Sequence, residues 1–223
     1  MDRALYRQLE ARMLHMREDS AHDRHHIYRV LYNALDIAAT EPAVDMDVLI
    51  AACLLHDIGR EAQFTDPTLC HAREGARMAR AFLLQIGRED LAEPVAQAVL
   101  THRYRSDNPP ASLEAKILFD ADKLDVTGAI GVARTLLYDG HVGSPLYGVG
   151  PDNRPLPGDK REPESFVREY NRKLKGIYEH FYTRRGAELA RQRQRHAQAF
   201  YETLMLEIDA AQGQSLLEAW LDG

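Results

Sequence analysis

The feature that most constrains the fold is a short segment, residues 47–55 (DVLIAACLL), which is apolar on nearly every face after its first residue. Its length would also suit a buried strand. Its alanines and leucines, with few β-branched side chains, favour a helix instead. A helix that is apolar all round lies inside a protein, with other elements around it. The segment therefore predicts a central, buried helix.

Helical spacing of apolar residues continues through much of the chain. One stripe follows the i, i+3, i+4, i+7 and i+11 pattern of a single helix face, at Ile27, Val30, Leu31, Ala34 and Ala38. Further helices are predicted over residues 72–86, which end before Gly87, around residues 91–99, and from Ser112, after Pro109-Pro110. No strand-like alternation is evident, so we expect an all-α helical bundle.

Composition sets broader limits. The chain has 223 residues, of which 45% are apolar and 28% charged, as in ordinary globular proteins. We expect one domain over residues 1–223, with a core at about 20–140. No run is long and apolar enough for a bilayer span, the N-terminus is charged and only two cysteines occur, so we expect a cytoplasmic protein with no membrane partner. The net charge of −6 argues against stable nucleic-acid binding.

Residues 140–163 form a predicted loop with five glycines and five prolines. Such a long loop is either functional, for example a lid whose Tyr147 stacks on a substrate, or a surface excursion, and both readings stay open. Residues 164–210 predict C-terminal helices that break around residues 183–186 and pack on the core. Their apolar stripe between Phe166 and Phe181 suits the chain's own core or a homodimer contact.

Two polar residues, His56 and Asp57, follow the apolar helix directly, in LLHDIGRE. Polar groups at the end of a buried helix are costly unless they are paired or bind a metal ion. Gly59 fits a helix terminus at this point. The alternative is a capping histidine beside a solvated aspartate.

Two further groups of polar residues accompany apolar helices. His26 lies at the edge of the Ile27 stripe, and the run FDADKLD carries aspartates at 120, 122 and 125, which we expect in the middle of a helix. Solvated, capping or salt-bridged roles would also explain these groups. Together, His26, His56, Asp57 and Asp122 offer two imidazoles and two carboxylates. This mixed set of ligands suits Mn, Fe, Co, Ni or Zn rather than an all-oxygen calcium site. Four protein ligands would leave coordination positions for water and substrate.

The order His26, His56-Asp57, Asp122, in HIYRV, LLHDIG and DADKLD, resembles the HD-domain superfamily of metal-dependent phosphohydrolases. The resemblance covers about residues 20–140, and the wording DADKLDVTGAIGVAR is similar to standalone bacterial members, some of which are nucleoside-triphosphate pyrophosphohydrolases. It implies an all-helical HD fold, one or two divalent ions (Mn, Co, Ni, Fe, Zn or Mg) and the metal ligands His26, His56, Asp57 and Asp122. Asp120 could replace Asp122 in this register, and His22 or His25 could replace His26.

The resemblance also suggests roles for residues near the ligands. Histidines comparable to His71 and His102 bind a second metal or phosphate in some members, and Asp57 would bridge two metals. Arg60 is a candidate cation for phosphate, and Glu61 is a candidate general acid or base. Lys123, Arg103 and Arg105 are further candidates for binding phosphate, with solvated surface charge as the alternative.

The expected activity is hydrolysis of a nucleotide or a related phosphate ester or anhydride, most specifically of a nucleoside triphosphate to a monophosphate and pyrophosphate. Alternatives are a 5′-nucleotidase, a phosphodiesterase or a non-catalytic HD-type binding module. Hydrolysis of ppGpp or cyclic dinucleotides is less expected, because no synthetase or sensor domain is evident and the GYP extension after HD is missing.

Overall fold

The computed structural model describes residues 1–15, 23–103, 108–212 and 214–221. Within these ranges the chain is helical apart from turns, loops and one isolated bridge between Val149 and Pro155. The predicted all-α class is confirmed. The helices are α1 (Arg3–Leu14), α2 (Arg24–Ala38), α3 (Met46–Leu55), α4 (Arg60–Thr65), α5 (His71–Gln85), α6 (Glu89–Thr101), α7 (Leu113–Leu124), α8 (Gly128–Val142), α9 (Phe166–Arg172), a 3₁₀ helix (Leu174–Glu179), α10 (Arg184–Ala210) and α11 (Gln214–Leu221).

Side-chain caps explain where several helices begin. The carboxylate of Asp23 accepts a hydrogen bond from the His26 amide at 2.7 Å and starts α2. Asp45 caps α3 in the same way, and the Ser112 hydroxyl accepts from the Ala115 amide at the start of α7. The predicted restart at Ser112 therefore has a physical cause in its capping side chain.

The first compact unit comprises residues 1–125 and 180–189, that is α1 to α7 and the start of α10. Helix α3 packs against α1, α2, α6 and α7, and its side chains from Val48 to Leu55 are buried except for the half-buried Ile50. The central helix expected from DVLIAACLL is thus confirmed. Helices α5 and α6 pack along each other beside it.

The second compact unit comprises residues 126–179 and 190–223, with α8, α9, the 3₁₀ helix, most of α10 and α11. Phe166, Tyr170, Leu174 and Tyr178 are buried in it, and the Tyr170 ring stacks on Tyr201 with 4.0 Å between centroids. This part of the apolar stripe therefore serves the chain's own core. The homodimer, the single domain and the lid stay predictions.

Several predicted boundaries were wrong. Gly140, His141 and Val142 belong to α8, which ends at Gly143, where a φ of 73° is readily adopted by glycine. The run FDADKLD ends α7, rather than lying in the middle of a helix, and Asp125 is its C-cap.

The C-terminal helices also differ from the prediction. The segment before the break is divided into α9 and a 3₁₀ helix, and α10 begins at Arg184 because Thr183 caps it. The Thr183 hydroxyl accepts a hydrogen bond from the Gly186 amide at 3.1 Å. Helices α1 and α4 were not predicted. None of the described helices combines the length and the apolar character needed to cross a membrane.

Candidate metal centre

Three helices of the first unit bring together a set of ligand atoms that we call the first triad: His26, His56 and Asp122. His26 lies in the first turn of α2, His56 caps the end of α3, and Asp122 lies in the last turn of α7. His26 Nε2 is 3.3 Å from His56 Nε2 and 3.4 Å from Asp122 Oδ1. Both imidazoles are buried, whereas 26% of the Asp122 side chain is exposed, so the triad is open to solvent on the aspartate side.

A second triad consists of Asp57, His71 and His102, all buried. His71 is the first residue of α5 and His102 caps the end of α6. His102 Nε2 is 3.7 Å from Asp57 Oδ1, while Asp57 Oδ2 is 3.5 Å from His26 Nε2 and 3.6 Å from His56 Nε2. Asp57 therefore presents one oxygen to each triad.

All four imidazoles are oriented in the same way, with Nδ1 next to an oxygen that only accepts hydrogen bonds. These oxygens are Asp125 Oδ2 at 2.7 Å from His26, the Cys53 carbonyl at 2.8 Å from His56, Gln63 Oε1 at 2.7 Å from His71 and the Val99 carbonyl at 2.6 Å from His102. Each Nδ1 must then carry the hydrogen, which leaves Nε2 as the ligand atom. Nearly every metal-binding histidine in proteins has such an outer partner.

Asp57 provides a test of whether these residues fit a cation. Its side chain is 1% exposed, and neither of its oxygens accepts a hydrogen bond from the described residues. Arg60 Nε lies 2.6 Å from Asp57 Oδ2, but without the alignment of a hydrogen bond. The Arg60 guanidinium offsets part of this charge, but the unfilled acceptors of a buried carboxylate remain costly unless a further cation binds them. The donor set of imidazoles and carboxylates fits a divalent metal ion.

Electrostatics favour the ligand forms of most of these groups. Burial lowers the pKa of His56 to about 4 and, with Arg60 and His102, that of His71 to about 3, so both rings are neutral at pH 7. Burial would raise the pKa of Asp57, but Arg60, His56 and His26 outweigh it and hold it well below its ordinary value.

His26 behaves differently because carboxylates surround it. Burial by itself would lower the pKa of His26, but its contacts with Asp122, Asp125 and Asp57 outweigh burial and raise the pKa to about 10. Burial by itself would raise the pKa of Asp122, but its contacts with His26 and His56 outweigh burial and lower it. A cation bound at His26 Nε2 would displace a proton, so binding there should become tighter as pH rises.

The structure places the alternative ligand candidates elsewhere. The carboxylate of Asp120 accepts hydrogen bonds from the Tyr182 amide at 2.9 Å, the Thr183 amide at 2.7 Å and the Thr183 hydroxyl at 2.6 Å. His25 is exposed and belongs to neither triad, and His22 lies outside the described residues. The ligand set of His26, His56, Asp57 and Asp122 stays a prediction, with all four side chains adjacent.

Of the residues expected to bind or act on the substrate, some lie beside the triads and others do not. Arg60 contacts Asp57, while Glu61 is exposed on α4 and belongs to neither triad. The Lys123 ammonium donates to the His180 carbonyl at 2.7 Å and lies over the Phe119 and Phe181 rings. Arg103 is exposed after α6, and Arg105 lies outside the described residues.

Sequence reasoning did not assign a role to three residues that contact the histidines or their partners: Gln63, Asp125 and Arg29. Gln63 bonds to His71, and Arg29 donates to both oxygens of Asp125, at 2.6 and 2.9 Å. Asp125 shares a helix face with Asp122, and Arg29 follows His26 by three residues, which are the available sequence signals.

Comparison with known proteins agrees with this geometry. Residues 24–127 match the family model of the HD domain. YpgQ of Bacillus subtilis is 33% identical over 135 residues, which cover 59% of this chain and 63% of YpgQ, so the match spans less than two thirds of that relative.

Solved structures extend the similarity over most of the chain. YpgQ of Bacillus subtilis in complex with ADP has a TM-score of 0.70 at 26% identity and covers 91% of this chain and 97% of its own. An HD-superfamily hydrolase from Bacillus thuringiensis has a TM-score of 0.70 at 25% identity, covering 93% and 98%. A predicted HD superfamily hydrolase from an uncultured Thermotogales bacterium has a TM-score of 0.61 at 26% identity, covering 92% of each chain.

Residues 24–127 match the HD domain, and over most of its length the chain is similar to HD-superfamily hydrolases of known structure. The helical fold and the paired triads fit this similarity. The resemblance stated from the sequence is confirmed.

Proposed function

We propose that this protein is a metal-dependent phosphohydrolase that converts a nucleoside triphosphate to a monophosphate and pyrophosphate. The observation that carries the proposal is Asp57, a buried carboxylate that faces both triads and whose oxygens accept no hydrogen bond from the described residues. The ADP complex of YpgQ supports a nucleotide as the substrate class. In the overall reaction, a water oxygen replaces the bridging oxygen on the α-phosphorus, and pyrophosphate leaves with a proton released.

Two cations are proposed, since Asp57 presents one oxygen to each triad. His26, His56, Asp57 and Asp122 would hold the first, and Asp57, His71 and His102 would hold the second. When bound, divalent ions of this kind supply Lewis acidity, which polarises a phosphoryl oxygen and makes water a better nucleophile.

The chain's own residues would orient the substrate and offset the negative charge of its phosphate groups. The Arg60 guanidinium, 22% exposed and beside Asp57, can donate to phosphate oxygens and offset the charge that develops on them. The exposed edge of Asp122 marks the side from which the substrate enters. Glu61, on the first turn of α4, is the proposed general acid or base, and Lys123 remains a candidate for binding phosphate.

The first prediction tests this assignment with Asp57→Asn. The asparagine keeps the shape of the side chain but removes the charge shared by the two triads, so activity should fall by about 100-fold or more while the fold is retained. The measurement is release of pyrophosphate, phosphate and monophosphate from a panel of nucleotides with Mn²⁺, Co²⁺, Ni²⁺ or Mg²⁺, with circular dichroism to check folding.

The matched control is Asp209→Asn, which changes an exposed aspartate on α10 and should leave turnover unchanged. Undiminished turnover of Asp57→Asn would reject the mechanism. Release of phosphate alone would identify a 5′-nucleotidase or related activity. Wild-type protein that binds metal and hydrolyses no phosphate compound would favour a binding module.

A further inference from the structure

We propose that Asp125 and Arg29 are positioning residues that orient His26 and strengthen it as a metal ligand. The proposal rests on the proposed function only in taking His26 as a ligand of the first triad. Asp125 Oδ2 lies 2.7 Å from His26 Nδ1, on the side of the ring opposite the triad. Arg29 donates two hydrogen bonds to the same carboxylate, from Nε at 2.6 Å and from a terminal nitrogen at 2.9 Å.

The contacts form a chain that begins at the protein surface and ends at the ligand atom. The Arg29 side chain is 33% exposed, whereas Asp125 and His26 are 0% and 1% exposed. The two-pronged contact from Arg29 fixes the plane of the Asp125 carboxylate. That plane in turn fixes the ring of His26, because the carboxylate accepts the Nδ1 hydrogen and keeps Nε2 aimed at Asp122 and His56.

Helix geometry explains how the sequence builds this arrangement. His26 and Arg29 are three residues apart on α2, and Asp122 and Asp125 are three residues apart at the end of α7. Residues at this spacing share a helix face. Helix α2 therefore supplies the ligand His26 together with Arg29, which binds Asp125. Helix α7 supplies the ligand Asp122 together with Asp125, which binds His26.

His26 differs from the other three histidines in the charge of its outer partner. The Nδ1 atoms of His56, His71 and His102 lie next to neutral oxygens of Cys53, Gln63 and Val99. An anionic acceptor polarises the imidazole more strongly than a neutral carbonyl does. Loss of the Asp125 charge should therefore weaken the first triad and leave the second triad unaffected.

The experiment is a titration of the full-length protein with Co²⁺ alone, followed by calorimetry and by the visible absorption of the bound ion. Asp125→Asn should weaken the binding of one Co²⁺ by about 10- to 100-fold and shift its absorption. Arg29→Gln should change both readouts in the same direction by a smaller amount. A purely structural role would not alter the absorption of the bound ion.

Asp36→Asn is the matched control. Asp36 also lies on α2 and also receives two nitrogens of an arginine, Arg185, but it is exposed and contacts no triad residue. This variant should bind Co²⁺ as the wild type does.

The results separate this proposal from the proposed function. Wild-type affinity and absorption in folded Asp125→Asn would overturn the positioning role, whatever the activity. If Asp125→Asn does not fold, Arg29→Gln decides, and unchanged Co²⁺ binding in that variant overturns the proposal. A wild type that binds Co²⁺ but hydrolyses no nucleotide would remove the proposed function only.

Discussion

Gly59 stands where α4 approaches the first turn of α5, and the structure leaves no room there for a side chain. A Cβ atom at this position would lie 2.2 Å from the His71 carbonyl oxygen and 2.4 Å from the Gly75 nitrogen. Its φ of −86° is open to any residue, so the requirement is space rather than conformation. This close approach brings His71 beside Asp57.

Gly59→Ala should therefore lower the free energy of unfolding by about 1–3 kcal/mol, because backbone atoms must move to admit the methyl group. It should also weaken the binding of a cation at the second triad, since His71 moves with them. Urea denaturation and Mn²⁺ titration measure the two effects.

The matched control for this prediction is Gly140→Ala. A Cβ at Gly140, inside α8, meets nothing within 4 Å, and we expect a gain of about 0.5–1 kcal/mol. Equal stability changes in the two variants would contradict the spatial argument.

Among single residues, the sequence predicts the four ligands because their motifs are local, but it prefers Asp122 to Asp120 only through the resemblance to the HD family. That choice depends on where residues 182–183 lie, since their amides bind Asp120 and leave Asp122 to the histidines. The role of Arg29 could not be predicted from the sequence either, because its contact with Asp125 joins residues 96 positions apart.

Helix α7 shows how one element serves two purposes. Asp122 and Asp125 face the histidines, whereas Asp120 and Lys123 hold residues 180–183 of the same unit. Both pairs have a spacing of three residues, so each defines one face of the helix. The cluster of charges in DADKLD is therefore explained by two separate sets of partners.

Lys123 gives this element a pH signature. Burial lowers the pKa of Lys123 from 10.5 to about 8, so between these values the folded protein binds fewer protons than the unfolded chain. Wild-type stability, relative to Lys123→Met, should then rise from pH 8 to 10.5 by at most about 1.4 kcal/mol per pH unit. Urea unfolding of both proteins at pH 7.5, 9 and 10 measures this difference, and a flat or falling difference would contradict it.

Apolar spacing was sufficient to predict α2, α5 and α6, the all-apolar segment predicted α3, and the restart at Ser112 predicted α7. These patterns did not predict α1, and they placed the break before α10 only approximately. The start of α10 is set by the capping hydroxyl of Thr183, a residue whose side chain is equally compatible with other structures.

For the whole molecule, the loop after α8 is tied back to α9 by main-chain hydrogen bonds. It begins at Gly143 within the second unit, and the carbonyls of Pro145 and Leu146 accept the amides of Phe166 and Val167. These bonds account for the return of the chain to α9. The lid and the surface excursion expected from its composition both stay predictions.

The lid hypothesis predicts that Tyr147→Ala raises KM for a nucleotide by about 10-fold, with a smaller effect on kcat, because base–aromatic stacking contributes about 1–3 kcal/mol. Steady-state kinetics measure this split. Tyr138→Ala, which removes an exposed ring from α8, is the control and should be neutral. An unchanged KM in Tyr147→Ala would identify the loop as a surface excursion.

The hydrogen bonds of Asp120 also impose an order on biosynthesis. The Tyr182 amide that it accepts from lies 62 positions further along the chain. A ribosome completes every residue of both triads well before it reaches this donor. During that interval the Asp120 carboxylate lacks the three donors that bind it in the structure, so we expect the HD segment alone to be less stable than the same segment with residues 180–189.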